Sequence, residues 1–152
     1  MAEKPRAAPR PEEQGGRVFK TKWFARFARQ QAIVDTDLCE AIDRAGRGLI
    51  DADLGGGVIK QRIARPGAGR SGGFRSLVLF RVGAHAFFAY GFAKQQRDNI
   101  SQDELREFRA LASEMLAFDE AQLQTALEAQ KISEVKCHDQ NQDQNQDQNQ
   151  DL

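Results

Sequence analysis

The sequence predicts a small α+β domain, and three observations support that class. Apolar and polar residues alternate with the period of a β-strand in the middle of the chain, whereas apolar residues recur every three or four positions before and after it. Residues that cap helices stand at the start of several of these helical patterns. The chain has 152 residues and is 40% hydrophobic, which suffices for one core. We therefore expect a single domain in which helices precede and follow an antiparallel sheet.

The N-terminal part of this domain is expected to form a short strand and then two helices. Phe19, Trp23 and Phe27 recur every four residues and predict one aromatic stripe of the first helix, which we expect to lie in the core. Asp37 and Glu40 have the spacing of a capping box at the start of the second helix. Glycines a few residues later are expected to end that helix.

Three strands and two further helices are expected next. The strands are predicted over residues 58–64, 74–82 and 84–92. A tight turn at Gly83 joins the last two, which makes the sheet an antiparallel meander. The middle strand is apolar along its centre on both faces, so helices must cover one face, while a partner or RNA can cover part of the other. Ser101 and Glu104 form a capping box at the start of the next helix. Asp119 and Gln122 do the same for the last one.

Both ends of the chain have compositions that do not support a packed core. Residues 1–16 hold three of the four prolines and show no apolar periodicity, which predicts a disordered N-terminal extension. Residues 136–152 consist largely of a repeated Asp-Gln-Asn-Gln unit, which predicts a low-complexity polar tail. The folded domain is therefore expected to span residues 17–135.

The formal net charge of zero hides a strong asymmetry along the chain. Residues 17–100 hold fifteen cations and seven anions, a net charge of +8, whereas the residues from Ser101 onward hold four and twelve, a net charge of −8. Many of these cations fall on predicted strands and glycine-rich loops. The basic segment is therefore a candidate for binding a polyanion. Ordinary variation of surface charge along a chain is the alternative.

Several other function classes lack the residues that they need. No run of about eighteen apolar residues exists, and the N-terminal residues lack the apolar region of a secretory signal, so we expect no membrane association. His85 and His138 are the two histidines, too few for a histidine metal cage, and His85 is expected to be an ordinary strand residue. The stretch from Gly67 to Gly72 fits the GxGxxG dinucleotide pattern, but a predicted strand follows it instead of a helix. We therefore expect no metal and no cofactor.

The two cysteines are expected to remain thiols. Cys39 belongs to a predicted helix and Cys137 lies beside the polar tail, far away along the chain. A disulfide between them is the alternative that the sequence leaves open.

Cationic side chains of the basic segment form the candidate site. Cleavage of RNA through the ribose 2′-hydroxyl needs a base, a cation that stabilises the phosphate and an acid for the leaving oxygen. Arginine stays protonated and can only position or stabilise charge, so Lys60 and Lys94 are the titratable candidates and Arg75 is the candidate phosphate clamp. The full set is Lys60, Arg62, Arg65, Arg70, Arg75, Arg81, Lys94 and Arg97. From spacing alone, electrostatic RNA binding without cleavage is at least as well supported.

The stretches VIKQRIA, GGFRSLVLFRVG, FFAYGFAKQQRDNI and SQDELREFRALA together resemble the RelE/HigB superfamily of type II toxins, from about Val18 to about Val135. The resemblance implies a RelE-like α+β domain, with two N-terminal helices packed on a curved, mainly antiparallel sheet and with C-terminal helices. It also implies a cytoplasmic bacterial toxin that cleaves messenger RNA, often in the ribosomal decoding site. Such a toxin acts without a cofactor.

Part of the family's site is present in this chain. The strand lysines of the family match Lys60 and, as a cation only, Arg62. The family's Gly-aromatic-Arg phosphate contact matches Gly73, Phe74 and Arg75. The resemblance therefore implies that Arg75 clamps the scissile phosphate and that Lys60 acts as base or charge stabiliser.

Another part of the family's site differs here. After the last strand, studied members have a basic residue and then an aromatic that stacks on a base, where this chain has Gln95 and Ser101. Lys94 or Arg97 is expected to replace the basic residue and to assist the leaving oxygen. The candidates for the RNA-binding aromatic are the strand residues Tyr90 and Phe92.

The resemblance further implies three partners. These are a cognate helix-turn-helix antitoxin, the messenger RNA with the ribosome, and operator DNA that is reached only through the antitoxin. Two alternatives remain from other classes of function. One is a ParE-like inhibitor that does not cleave RNA and acts on another target such as a DNA topoisomerase; the other is an inactive relic that binds RNA or the antitoxin.

Overall fold

The computed structural model describes residues 16–64, 73–93 and 100–137, which form helices and strands around one mixed sheet. The strands are β1 Val18–Thr21, β2 Ala52–Gly55, β3 Val58–Ile63, β4 Phe74–Leu79, β5 Ala86–Ala93 and β6 Ile132–Val135. The helices are α1 Lys22–Gln31, α2 Asp35–Gly46, α3 Gln102–Met115 and α4 Glu120–Glu128. The expected α+β class is therefore confirmed.

The six strands lie in the order β2-β3-β4-β5-β1-β6. Strands β3, β4 and β5 form the expected antiparallel meander, and Gly83 has a φ of 84° in the turn between β4 and β5. Strand β1 pairs in parallel with β5 and antiparallel with β6. The sheet is thus mainly antiparallel, but its one parallel pair places the start of the domain beside its last strand.

Helices pack on both faces of the sheet, and each face has its own apolar cluster. On one face, which we call the α1/α2 face, Phe24 of α1 and Leu38 of α2 pack with Ile59 and other strand residues. On the opposite face, the α3/α4 face, Leu105 of α3 packs with Leu77 and with residues of α4. Helices therefore also cover part of the face that we expected to be open to a partner or RNA.

The expected aromatic stripe of the first helix is confirmed only in part, because Phe19 and Phe27 are buried but Phe19 is not in the helix and Trp23 is not in the core. Thr21 caps α1, because its Oγ1 accepts a hydrogen bond from the Phe24 backbone N–H at 3.1 Å. Phe19 consequently belongs to β1, and Trp23 is 46% exposed instead of lying in the core. Phe24 and Phe27 are the aromatic residues of α1 that are buried. The four-residue spacing crossed the boundary between a strand and a helix, where the side-chain period changes.

Side-chain caps begin the later helices. The Asp37 carboxylate accepts the Val34 backbone N–H at 3.0 Å, so α2 begins at Asp35, earlier than the expected capping box implied. Two other expected capping boxes are confirmed in full: those of Ser101 with Glu104 and of Asp119 with Gln122.

A network of charged side chains connects β6 to the residue that precedes β1. The Arg17 guanidinium donates two hydrogen bonds of 2.9 Å to the Glu134 carboxylate and a third of 2.9 Å to Glu120. These bonds lower the pKa of Glu134, although partial burial acts in the opposite direction, and they raise the pKa of Arg17. Arg17 also lies over the Phe19 ring at 5.1 Å.

A disulfide joins Cys39 of α2 to Cys137, which corrects the expectation of two thiols. The Cα atoms of the two residues are 5.3 Å apart although 98 positions separate them in the sequence. The sheet order explains this proximity, because β6 pairs with β1 and so brings the following residues to α2. The Asp35 carboxylate, at the start of that helix, accepts the Lys136 backbone N–H at 3.0 Å.

Both cysteines line a cavity of about 520 Å³. Its wall also contains Gly16 and the residues of the turn between β4 and β5. The cavity therefore lies at the end of the sheet where β4 ends and β5 begins. Within the described parts of the chain, none of the helices has the length and apolar character needed to span a membrane.

Candidate nucleic-acid interface

Two cross-strand rows bring predicted site residues together at the other end of the sheet. Arg62 of β3 stands opposite Arg75 of β4, which stands opposite Phe92 of β5. In the neighbouring row, Lys60 and Tyr90 stand on either side of Leu77 and share its register. We call Lys60, Arg62 and Arg75 the cationic cluster.

The cationic cluster lies on the α3/α4 face. Side chains alternate between the two faces along a strand. Val58, two positions before Lys60, belongs to the apolar cluster of that face, whereas Ile59 and Ile63 belong to the opposite cluster. The three cations are half-buried, with part of each side chain in contact with solvent.

Arg62 and Arg75 place two like charges opposite each other across β3 and β4. Directly opposite side chains in an antiparallel pair have Cβ atoms about 5 Å apart, and like charges at such positions destabilise the pair. Lys60 lies about 7 Å along β3 from Arg62 on the same face. Three positive groups at these spacings are complementary to the negative charge of a phosphodiester backbone.

Asp51 is a member of this site that the sequence analysis missed. Its carboxylate forms an ion pair with the Arg75 Nε at 3.4 Å. The pair leaves the two Nη groups of the guanidinium as the atoms that can face a phosphate. No local signal identified Asp51, because the residue precedes a strand that was not expected and meets Arg75 only through the order of the sheet.

A buried glutamine holds Asp51 in place. Gln61 of β3 is fully buried, and its side-chain oxygen accepts the Asp51 backbone N–H at 3.2 Å. The Gln61 amide nitrogen donates to the carbonyl oxygens of Ala41 and Leu49 at 2.9 and 3.0 Å. Ser76 donates to the Gln61 carbonyl at 2.8 Å. These bonds connect α2, β3 and β4 directly behind the cationic cluster, so the cluster has a rigid support.

Gly73 permits the close approach of β3 and β4 beside the cluster. A Cβ atom at this position would lie 2.7 Å from the Ile63 carbonyl oxygen and 3.5 Å from the Arg62 Nε. The Ile63 carbonyl belongs to the backbone of β3 and cannot move away from such a Cβ atom as a flexible side chain could. The glycine of the Gly73-Phe74-Arg75 stretch therefore has a packing role next to the arginine that follows it.

Two aromatic residues, Tyr90 and Phe92, lie in the rows of the cluster, and Tyr90 contacts two further rings. Tyr90 stacks on Trp23 with ring centroids 4.5 Å apart and lies 5.8 Å from Phe108 of α3. Tyr90 also lies 6.1 Å from Phe92, which is buried. Of the two aromatics that the sequence analysis named, Tyr90 is thus half-buried beside the cations, and Phe92 is part of the packing.

The remaining predicted residues are not part of this cluster. Arg81 is exposed beyond the far end of β4, roughly 20 Å along the strand direction from Arg75. Four predicted cations and the GxGxxG stretch lie outside the described residues: Arg65, Arg70, Lys94, Arg97 and residues 67–72. Their predicted roles stay predictions. Gln95 and His138 lie outside the described residues as well.

The described residues contain no group of histidine, cysteine and carboxylate side chains that could hold a metal ion. His85 directly precedes β5 and contacts Phe19 edge to face, with ring centroids 5.6 Å apart. It lies at the opposite end of β5 from Phe92 and therefore outside the cationic cluster.

Comparison with protein families finds one match that covers most of the chain. The family described as the RelE toxin of the RelE/RelB toxin-antitoxin system matches residues 16–135. This range contains both rows of the site and every described helix and strand. Comparison with curated proteins found no match.

Proposed function

We propose, from the premise that this chain belongs to the RelE toxin family of toxin-antitoxin systems, that it is a cytoplasmic endoribonuclease that cleaves messenger RNA on the ribosome and thereby inhibits translation. The observation that carries the proposal is the opposition of Arg62 and Arg75 across two strands, with Lys60 on the same face. A phosphate placed between these side chains would be attracted by both guanidinium groups, in addition to the Asp51 carboxylate that already pairs with Arg75.

The proposed reaction uses the ribose 2′-hydroxyl as the nucleophile. A base removes its proton, the oxygen attacks the phosphorus, the bond to the 5′ oxygen breaks and that oxygen receives a proton. Arg75 would hold the phosphate through its Nη groups while Asp51 holds its Nε. Lys60 would act as base or charge stabiliser. Lys94 or Arg97, which lie outside the described residues, would assist the leaving oxygen.

A protein partner accompanies this activity. The family implies an antitoxin, and we propose that it is a helix-turn-helix protein through which the complex binds operator DNA. Its segment that meets the toxin would be acidic, since the basic part of this chain has a net charge of +8. Association should then become slower with added salt.

Two arginines of β4 and its following turn provide a matched test. Arg75→Ala removes one of the three cations of the cluster, whereas Arg81→Ala removes the same type of side chain beyond the opposite end of the strand. We expect induction of the unaltered protein to arrest growth and to create new 5′ ends inside translated messages. Arg75→Ala should abolish both effects, and Arg81→Ala should retain them.

The result also separates the proposal from its rivals. New RNA ends that persist in a folded Arg75→Ala variant would contradict the role of this arginine. Intact messages together with DNA-damage signalling would replace the nuclease by a topoisomerase inhibitor. Harmless expression of the unaltered protein would indicate an inactive relic.

A further inference from the structure

Trp23 is the one tryptophan of the chain, and its ring stacks on Phe27 of the core at 5.5 Å while nearly half of its surface stays exposed. It is 46% exposed on α1, whereas the neighbouring Phe24 is fully buried. Exposure of so large an aromatic residue next to charged groups is a feature that folding does not require.

The exposed indole lies beside the second half of β5. Strand β1 pairs with β5 only from Ala86 to Phe88, and the chain then turns into α1 after Thr21. Trp23, in the first turn of that helix, consequently covers the edge of β5 that β1 has left. There its ring stacks on Tyr90 at 4.5 Å with an interplanar angle of 29°.

This position is close to the cationic cluster. Tyr90 and Lys60 are two strands apart in one register row, which corresponds to about 10 Å. Arg75 lies in the next row, one strand from β5. A nucleic acid whose phosphate contacts Arg75 can therefore place a neighbouring base near the indole.

The surroundings of Trp23 favour a nucleic acid as the ligand. Lys22 and Arg26, one position before it and three after it, are exposed on the same helix. Single-stranded nucleic acids bind where cations that contact the backbone alternate with aromatic rings on which bases stack. An apolar protein segment would instead need a contiguous apolar surface, which these two charges interrupt.

We propose that Trp23 stacks on an unpaired base of the bound RNA, next to the nucleotide whose phosphate Arg75 holds. The inference rests on the proposed function and adds a base contact on α1 to the phosphate contacts of the sheet. Tyr90 acts as a positioning residue, because its ring supports the face of the indole that is turned toward β5.

Since the chain has a single tryptophan, its fluorescence reports directly on this contact. The probe is a six-nucleotide single-stranded RNA with 2′-O-methyl groups, which binds but cannot react. We expect the RNA to quench Trp23 emission and to protect the indole from quenching by acrylamide. This measurement needs no variant and so does not depend on the folding of one.

Variants then measure how much the contact contributes to affinity. With a fluorescently labelled copy of the same RNA, Trp23→Ala should weaken binding about tenfold, the order of one lost base stack. Trp23→Phe should recover part of that loss. Val82→Ala is the matched control, because Val82 is 76% exposed beyond the far end of β4 and should leave affinity unchanged.

The possible results distinguish failure of the inference about Trp23 from failure of the proposed function. If Arg75→Ala weakens binding while Trp23→Ala, folded by circular dichroism, binds as tightly as the unaltered protein, the inference about Trp23 is wrong and the proposed function stands. If the unaltered protein does not bind the RNA, the inference about Trp23 is overturned, whereas the proposed function, which places the message on the ribosome, is decided by the mapping of new RNA ends. If Trp23→Ala retains RNA binding but no longer binds the antitoxin, the exposed indole is a protein contact and the inference is likewise overturned.

Discussion

Reduction of the Cys39–Cys137 disulfide should lower the free energy of unfolding substantially. The bond closes a loop with a sequence separation of 98, which contains every strand from β2 to β6. In the chain-entropy description, a loop of this length restricts the unfolded chain by about 4 to 5 kcal/mol at 25 °C. Domains of this size are stable by about 5 to 15 kcal/mol in total. Reduction should therefore remove between about a third and nearly all of the free energy of unfolding.

Urea unfolding followed by circular dichroism measures this difference. The unaltered protein is compared with and without dithiothreitol, and a thiol assay verifies that two thiols appear on reduction. We expect a lower midpoint in dithiothreitol with a similar or larger dependence on urea, since the reduced chain can expand further. The variant with both cysteines changed to serine should have the urea midpoint of the reduced protein, and dithiothreitol should not change that midpoint.

An unchanged midpoint after complete release of both thiols would refute the loop-closure reasoning. Two free thiols in protein purified under air would refute the disulfide between Cys39 and Cys137. In a reducing cytoplasm, the location that we propose, the same pair is expected as thiols. The value measured with dithiothreitol is then the one that applies in the cell.

Three further predictions concern packing, charge and pH. Gly91→Ala should destabilise the domain by about 1 to 3 kcal/mol in the same urea assay, because a Cβ atom there would lie within 3.0 Å of the buried Phe27 ring. A decrease in the free energy of unfolding of less than about 0.3 kcal/mol would contradict this packing. Glu134→Gln should cost about 1 kcal/mol at pH 7 through loss of the Arg17 pair. The pKa of Glu134 in the folded protein is lower than its ordinary value of 4.5. The stabilisation by the ion pair is therefore complete above pH 4.5 and is lost as the pH falls through the lowered pKa. In acid, the unaltered protein and the variant should have the same free energy of unfolding. Asp51→Asn should tighten RNA binding a few-fold at low salt, since it removes an anion from the phosphate site; weaker binding would show instead that Asp51 mainly positions its arginine.

The sequence was sufficient for the elements whose signals are local. Strands β3, β4 and β5 follow from alternation and from the glycine turn between the last two. Helices α3 and α4 begin where their capping boxes predicted, since a cap is a contact between residues three positions apart. Strands β2 and β6 are only four residues long and lack a clear apolar alternation, so nothing in their own residues distinguished them from loops.

Features that depend on distant pairing could not be derived in this way. The cations Lys60, Arg62 and Arg75 were recognised by residue type, but their placement in adjacent rows required the register of β3 on β4. The same holds for the ion pair of Arg75 with Asp51. For Trp23, a local signal did exist: Thr21 is a favoured N-cap residue and separates Phe19 from the helix.

The position of the cavity at the far end of the sheet has a practical consequence for attaching the molecule to surfaces. Gly16 and Cys137, the outermost residues that line it, adjoin the two terminal segments of the chain. A linker joined directly before Gly16 or directly after Cys137 would therefore be anchored where β5 begins, whereas the cationic cluster lies where that strand ends. A protein immobilised through both of these linkers at once would still present its arginines to the solution, which suits single-molecule recording of individual RNA strands as they bind and dissociate.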